Sequence, residues 1–151
     1  MIVAVAGIDV HVDGEGGETI VMVHGWPDTY RLWDAQVEHL KAQHRCIRFT
    51  LPGFDGAQPR KAYTVDEVTG LIRQVIEQLS PDRKITLMLH DWGCVYGYEF
   101  YMRNPGLVAR IVSVDIGTGD FGNHAICFTR LRGRSRDFPA GSAACAPARP
   151  R

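Results

Sequence analysis

Two short clusters hold the residues best suited to chemistry. In Leu87-Met88-Leu89-His90-Asp91-Trp92-Gly93-Cys94 an apolar run stops at a carboxylate and passes at once into a segment of helical character. In Thr19-Ile20-Val21-Met22-Val23-His24-Gly25-Trp26-Pro27-Asp28 a second apolar run ends at a His-Gly pair. A carboxylate on a tight turn between a buried strand and a helix is pushed out of the sheet, free of local backbone partners. Desolvation opposes the anion there, and the positive end of the following helix favours it. Such a group can attack an sp3 carbon by displacement, giving an alkyl ester that an activated water then hydrolyses at the carbonyl. An isolated aspartate at a strand end is more often a helix cap. The frame His90-Asp91-Trp92-Gly93 after an apolar strand shifts the expectation for Asp91 to nucleophile.

The elements that must position these clusters are legible from periodicity. Ile8–Asp13 alternates apolar with polar, with Val10 and Val12 inward, and Gly14-Glu15-Gly16-Gly17 turns the chain. Thr19–Val23 and Ile85–Leu89 are continuous apolar runs of the kind shown by parallel strands covered on both faces. Asp28 or Thr29 can cap a helix carrying Trp33, Val37 and Leu40, and Cys46–Leu51 supplies another strand. Thr64 and Glu67 form a capping box ahead of Val65, Val68, Ile72, Val75, Ile76 and Leu79, the apolar face of a four-turn helix. Ser80-Pro81-Asp82 ends it, a helix runs from Gly93 to about Arg103, and Arg110–Asp115 is one more strand. Strands alternating with helices through short loops predict an α/β fold: a mostly parallel sheet with helices on both faces.

The 151 residues can bury one core, and their net charge of zero conceals two unlike parts. Residues 1–125 hold eleven Lys and Arg against sixteen Asp and Glu; residues 126–151 hold six Arg against one acid. An acidic body gives no support for a nucleic-acid partner. From about Gly117 the pattern stops. The expected division is therefore a core-forming part over residues 1–120 and an unpatterned Arg/Ala/Pro-rich tail over 121–151. Cys46, Cys94, Cys127 and Cys145 lack paired metal-ligand spacing and read as free thiols of a reducing compartment, so no metal or cofactor is expected. Met1–Ala6 is apolar but short and lacks a basic lead-in, and no run approaches a membrane span. A soluble, cytoplasmic protein is expected.

His90-Asp91-Trp92-Gly93 and His24-Gly25-Trp26-Pro27-Asp28 together resemble the epoxide hydrolase and haloalkane dehalogenase branch of the α/β-hydrolase family, over roughly residues 8 to 120. The resemblance makes Asp91 the nucleophile, the Trp26 and Trp92 N–H groups the oxyanion hole, and the Trp26–Pro27 bond cis. His24, Gly25, Pro27, His90 and Gly93 become motif-supporting residues rather than proton-transfer groups. Trp26 after His-Gly matches epoxide hydrolases, since haloalkane dehalogenases usually carry Asn or Glu there. Asp115, 24 residues after Asp91, is a candidate for the acid that orients the catalytic histidine. In the family that histidine follows a helical cap and further strands. The expectation is thus a fold truncated after the strand ending near Asp115, without cap or last strands, which forms an ester from a small apolar epoxide or haloalkane but does not turn over. A non-catalytic fragment that self-associates through an exposed sheet edge is the alternative.

Overall fold

The computed structural model describes residues 1–56 and 61–114. Six strands, β1 (Ile2–Val5), β2 (Ile8–Asp13), β3 (Thr19–Val23), β4 (Arg45–Phe49), β5 (Ile85–His90) and β6 (Val108–Val114), form one sheet in the order β1-β2-β4-β3-β5-β6. The β1–β2 and β2–β4 pairs are antiparallel; β3 pairs in parallel with both β4 and β5, and β5 with β6. The chain reaches each parallel neighbour through a helix: α1 (Asp34–Leu40), α2 (Val65–Leu79) or α3 (Trp92–Arg103).

Strand alternation sorts the core into two layers. Val21 and Val23 of β3 join Ile47, Phe49, Leu87 and Leu89 beneath α2 and α3, whereas Ile20 and Met22 join Cys46 against Trp33 and Val37 beside α1. All five residues of β3 are buried, as its unbroken apolar run predicts for the strand that has a neighbour on each side and helices above and below. Val10 and Val12 are buried as expected.

The helix over Val65–Leu79 starts as its sequence prescribes. Thr64 Oγ1 accepts from the Glu67 N–H at 3.2 Å, and a Glu67 carboxylate oxygen accepts from the Thr64 N–H at 2.8 Å. Removing the hydroxyl should therefore cost about 1 kcal/mol. Thr64→Ala is expected to lower the urea midpoint accordingly, and an unchanged midpoint would mean that the box carries no net energy. Val65, expected on the inner face, is exposed, because the buried stripe begins a turn later at Val68.

Several boundaries differ from the sequence reading. The segment after the His-Gly loop folds first as a 3-10 turn over Tyr30–Trp33, capped by Thr29, one of the two expected caps, and only then as the seven-residue α1. Leu51 lies beyond β4, and β6 begins at Val108, two residues earlier than expected, with an irregularity opposite Ile85 and Thr86. The apolar lead Met1–Ala6 contains a strand. β1 pairs with β2 through the two-residue turn Ala6-Gly7, whose residues both have positive φ (51° and 82°), the geometry that matches strand twist in a hairpin.

No element among the described residues pairs with the outer side of β6. Val112 and Val114 alternate along it and are 40% and 57% exposed. Among the described residues no helix is long and apolar enough to cross a membrane.

Candidate active site

The carboxyl ends of β3 and β5 lie side by side in parallel, so the two motifs that follow them are brought to one edge of the sheet. At the end of β5 the chain turns sharply. Asp91 has φ 49° and ψ −123°, and α3 begins at the next residue. For a residue with a Cβ this is a strained conformation, of the sort retained where the surroundings over-determine it. The turn places the Asp91 carboxylate beside the N-terminus of α3, whose first N–H groups have no partner inside the helix.

Close approach of two backbones makes the turn fit. A Cβ on Gly93 would lie 2.2 Å from the Val23 carbonyl oxygen, so only glycine lets α3 start against the end of β3. A Cβ on Gly25 would lie 2.3 Å from Asp91 Oδ2 and 2.4 Å from the Trp92 nitrogen. Further along α3, a Cβ on Gly97 would lie 2.5 Å from the Leu89 side chain, so the bulky Leu89 beneath the turn is accommodated by a missing side chain opposite.

The His24–Asp28 loop supplies the facing donor. The Trp26–Pro27 bond is cis, and the Trp26 N–H donates to Asp91 Oδ2 at 2.6 Å. Trp26 is 65% exposed and its ring meets Phe54 edge-on at 6.1 Å, while the ring of Trp92, a residue 46% exposed, lies 6.2 Å from that of Tyr96. Phe54 also packs edge-on against His24 at 5.5 Å. Neither Phe54 nor Tyr96 is marked by its motif; each is read as part of the site only once the loop after β4 and the second turn of α3 are seen to flank Asp91.

His24 is fully buried and engaged at both nitrogens. Its Nε2 accepts from the Leu51 N–H at 2.8 Å, which leaves the ring proton on Nδ1, where it donates to the Gly25 carbonyl at 2.9 Å. Burial holds its pKa below the ordinary 6.5, with His90 acting in the same direction and the Gly25 hydrogen bond and Asp28 opposing. His11, part-buried beside Arg48, is shifted the same way. An unfolded histidine takes up a proton that these folded rings resist, so stability is present above about pH 6.5 and falls as pH drops below it. The urea midpoint is expected to be lower at about pH 5.5 than at about pH 7.5, and less so in His24→Gln. A midpoint that rises on acidification would contradict the assignment. His90, at the end of β5, has its Nδ1 buried without a hydrogen-bond partner.

The structure thus brings together Asp91, Trp26, Trp92, His24, Gly25, Pro27, His90 and Gly93. Asp115, the candidate orienting acid, lies outside the described residues, as do His124, Cys127, Cys145 and the tail over 121–151. The strand leading to Asp115 is anchored beside the turn: the Tyr98 hydroxyl lies 2.7 Å from Ser113 Oγ, and Asp91 N–H donates to the Val114 carbonyl at 3.4 Å. Cys46 and Cys94 are buried thiols outside any disulfide, and burial pushes the Cys46 thiol above its ordinary pKa.

Residues 18–130 match the model of a family described as the alpha/beta hydrolase fold. The chain belongs to the α/β-hydrolase family. This α/β-hydrolase is 34% identical over 126 residues to a protein named probable oxidoreductase EphD of Mycobacterium tuberculosis, covering 80% of this chain and 21% of that one. It is 33% identical over 120 residues to epoxide hydrolase 2 of Caenorhabditis elegans, covering 76% of this chain and 34% of the relative. Its fold superposes on the crystal structure of the epoxide hydrolase VrEH1 of Vigna radiata with a TM-score of 0.69 and 27% identity, over 79% of this chain and 40% of that one. The chain therefore spans about a fifth to two fifths of the length of these relatives, and it is epoxide hydrolase-like in sequence and fold.

Proposed function

We propose that this α/β-hydrolase carries the nucleophile half of an epoxide hydrolase-like active site, with Asp91 forming an alkyl ester on a small apolar epoxide. The observation that carries this reading is the 2.6 Å hydrogen bond from the Trp26 N–H to Asp91 Oδ2. It divides the carboxylate into two unlike oxygens. Oδ1 attacks a ring carbon; the ring C–O bond breaks, its electron pair stays on the oxygen, and the resulting alkoxide takes a proton from water. Oδ2 becomes the ester carbonyl oxygen and already sits on a donor. When water adds to that ester, the negative charge develops on Oδ2, where the Trp26 and Trp92 N–H groups form the oxyanion hole.

Hydrolysis also needs a base to take the proton of the attacking water. His24 cannot supply it, because its one lone pair is spent on Leu51 and its one proton on Gly25. Asp115 is at most the candidate acid that would orient a histidine, and none of the histidines in these 151 residues is the base that the resemblance implies. The 151-residue chain should therefore form the ester and stop. Incubation with excess styrene oxide, followed by intact-mass measurement, is expected to show one added epoxide per chain, mapped to the peptide holding Asp91, with no diol released. Multiple-turnover diol formation would refute the missing-base account, and an unmodified chain would refute the nucleophile. Parallel incubation with a 1-haloalkane, read by halide release, tests the haloalkane alternative, against which the aromatic Trp26 weighs.

The exposed edge of β6 favours a second reading, in which the chain is non-catalytic and self-associates. Val112 and Val114 present apolar side chains next to a strand edge that no element among the described residues pairs with, an association-prone combination. Light scattering that shows a monomer, with one cooperative unfolding transition, would dismiss it. Cys46 and Cys94, buried and outside any disulfide, fit a reducing, cytoplasmic compartment.

A further inference from the structure

The Gly25–Trp26 peptide unit faces two ways. Its N–H, on Trp26, points at Asp91 Oδ2; its carbonyl, on Gly25, accepts from His24 Nδ1 at 2.9 Å and from the Asp28 N–H at 3.0 Å. In a trans peptide the C=O and N–H bonds are antiparallel, so whatever grips the carbonyl aims the amide. The Asp28 N–H is part of the same small turn and moves with it. His24 does not: its Nε2 is fixed by the Leu51 N–H, at the loop following β4, on the neighbouring strand.

We infer that His24 is a positioning residue whose Nδ1–H, braced against Leu51, aims the Trp26 amide at the oxygen that becomes the oxyanion. The inference rests on the ester-forming role of Asp91 for the identity of the oxygen that becomes the oxyanion, and on geometry alone for the aiming itself. It requires one tautomer. The Leu51 N–H can only donate, so Nε2 is its unprotonated acceptor and the imidazole is neutral with its proton on Nδ1, the form less favoured by free histidine. This also explains why a histidine stands where a residue offering only one function would fill the space: the ring is rigid, with an acceptor at one end and a donor at the other. Phe54, edge-on to both the His24 and Trp26 rings, packs over this connection from the same loop that carries Leu51.

Two substitutions separate the halves of the device. In His24→Asn the side-chain amide nitrogen falls near the place of Nδ1 and keeps the donor to Gly25, but nothing reaches Leu51. In His24→Gln the side-chain oxygen reaches toward the Leu51 N–H and the donor to Gly25 is lost. The wild-type chain, labelled with 15N and 13C, is expected to show a neutral His24 with the proton on Nδ1, and a Trp26 amide proton shifted downfield by its short bond to a carboxylate. Both variants should reduce that amide shift, the Gln variant, which lacks the donor to Gly25 itself, more than the Asn variant, which lacks only the brace to Leu51. A proton on Nε2 in the wild-type chain, a reading that needs no variant to fold, would overturn the inference. So would a Trp26 amide equally displaced in both variants. The tautomer and the amide shift are read without any epoxide, so failure of the wild-type chain to form an ester would strike the proposed reaction and leave these two readings standing.

Discussion

Gly93→Ala is expected to destabilise the protein by about 3 kcal/mol or more, the upper range for forcing atoms into a packed interior. The added methyl would sit 2.2 Å from the Val23 carbonyl oxygen and 2.7 Å from that of His24. Neither oxygen can yield cheaply. Both belong to the carboxyl end of β3, which is bonded to β4 on one side and β5 on the other, so relief requires α3 to lift from the sheet. Lifting α3 also moves Asp91 away from the Trp26 amide. Urea unfolding followed by circular dichroism measures the loss, and Gly70→Ala provides the contrast. Gly70 lies inside α2 with nothing within 4 Å of where a Cβ would stand, so alanine there should stabilise by about 0.5–1 kcal/mol through helix propensity alone. Two Gly→Ala changes of equal size and opposite sign of effect would isolate the contact with β3 as the cause. A Gly93→Ala midpoint within experimental error of wild type would show that α3 does not start against β3 as described.

Asp91→Gly and Asp91→Ala are both expected to abolish ester formation on styrene oxide, leaving the intact mass unchanged, while differing in stability. At φ 49° and ψ −123° a Cβ is strained, at a cost of order 1–3 kcal/mol, and glycine relieves that strain. Part of the relief is offset by the greater freedom of glycine in the unfolded chain, roughly 0.5–1 kcal/mol. The glycine variant should therefore unfold at a higher urea concentration than the alanine variant, by a difference of about 1 kcal/mol. Equal midpoints would mean that the turn holds no strain. Ester formation surviving in either variant would remove Asp91 from the chemistry altogether.

The parallel core was legible because burial on both faces leaves an unbroken apolar run. Thr19–Val23 and Ile85–His90 announce themselves, and the capping box at Thr64 and Glu67 fixes where α2 begins. β1 was not legible as a strand. Its signal is four apolar residues, and its turn is Ala6-Gly7 rather than the Asn-Gly or Asp-Gly that advertises a hairpin; the pairing with β2 is what stabilises it. The ends of β4 and β6 moved by one or two residues for the same reason. Pairing register, which a strand's own sequence does not contain, decides where a ladder stops.

The sequence by itself determined which residues could do chemistry: an aspartate between an apolar strand and a helix, and a His-Gly-Trp-Pro loop after a second such strand, are features of local order and residue type. Only the tertiary structure decided how the two loops use each other. That β3 and β5 are neighbours brings the Trp26 amide to Asp91 Oδ2, 65 residues away in the chain. The role of His24 is of the same kind. As a residue type it offers a base, and buried between the Leu51 N–H and the Gly25 carbonyl it has neither a free lone pair nor a free proton. A hydrogen-bond partner is a property of the fold, and for a histidine the partners decide whether the ring moves protons or holds a loop in place.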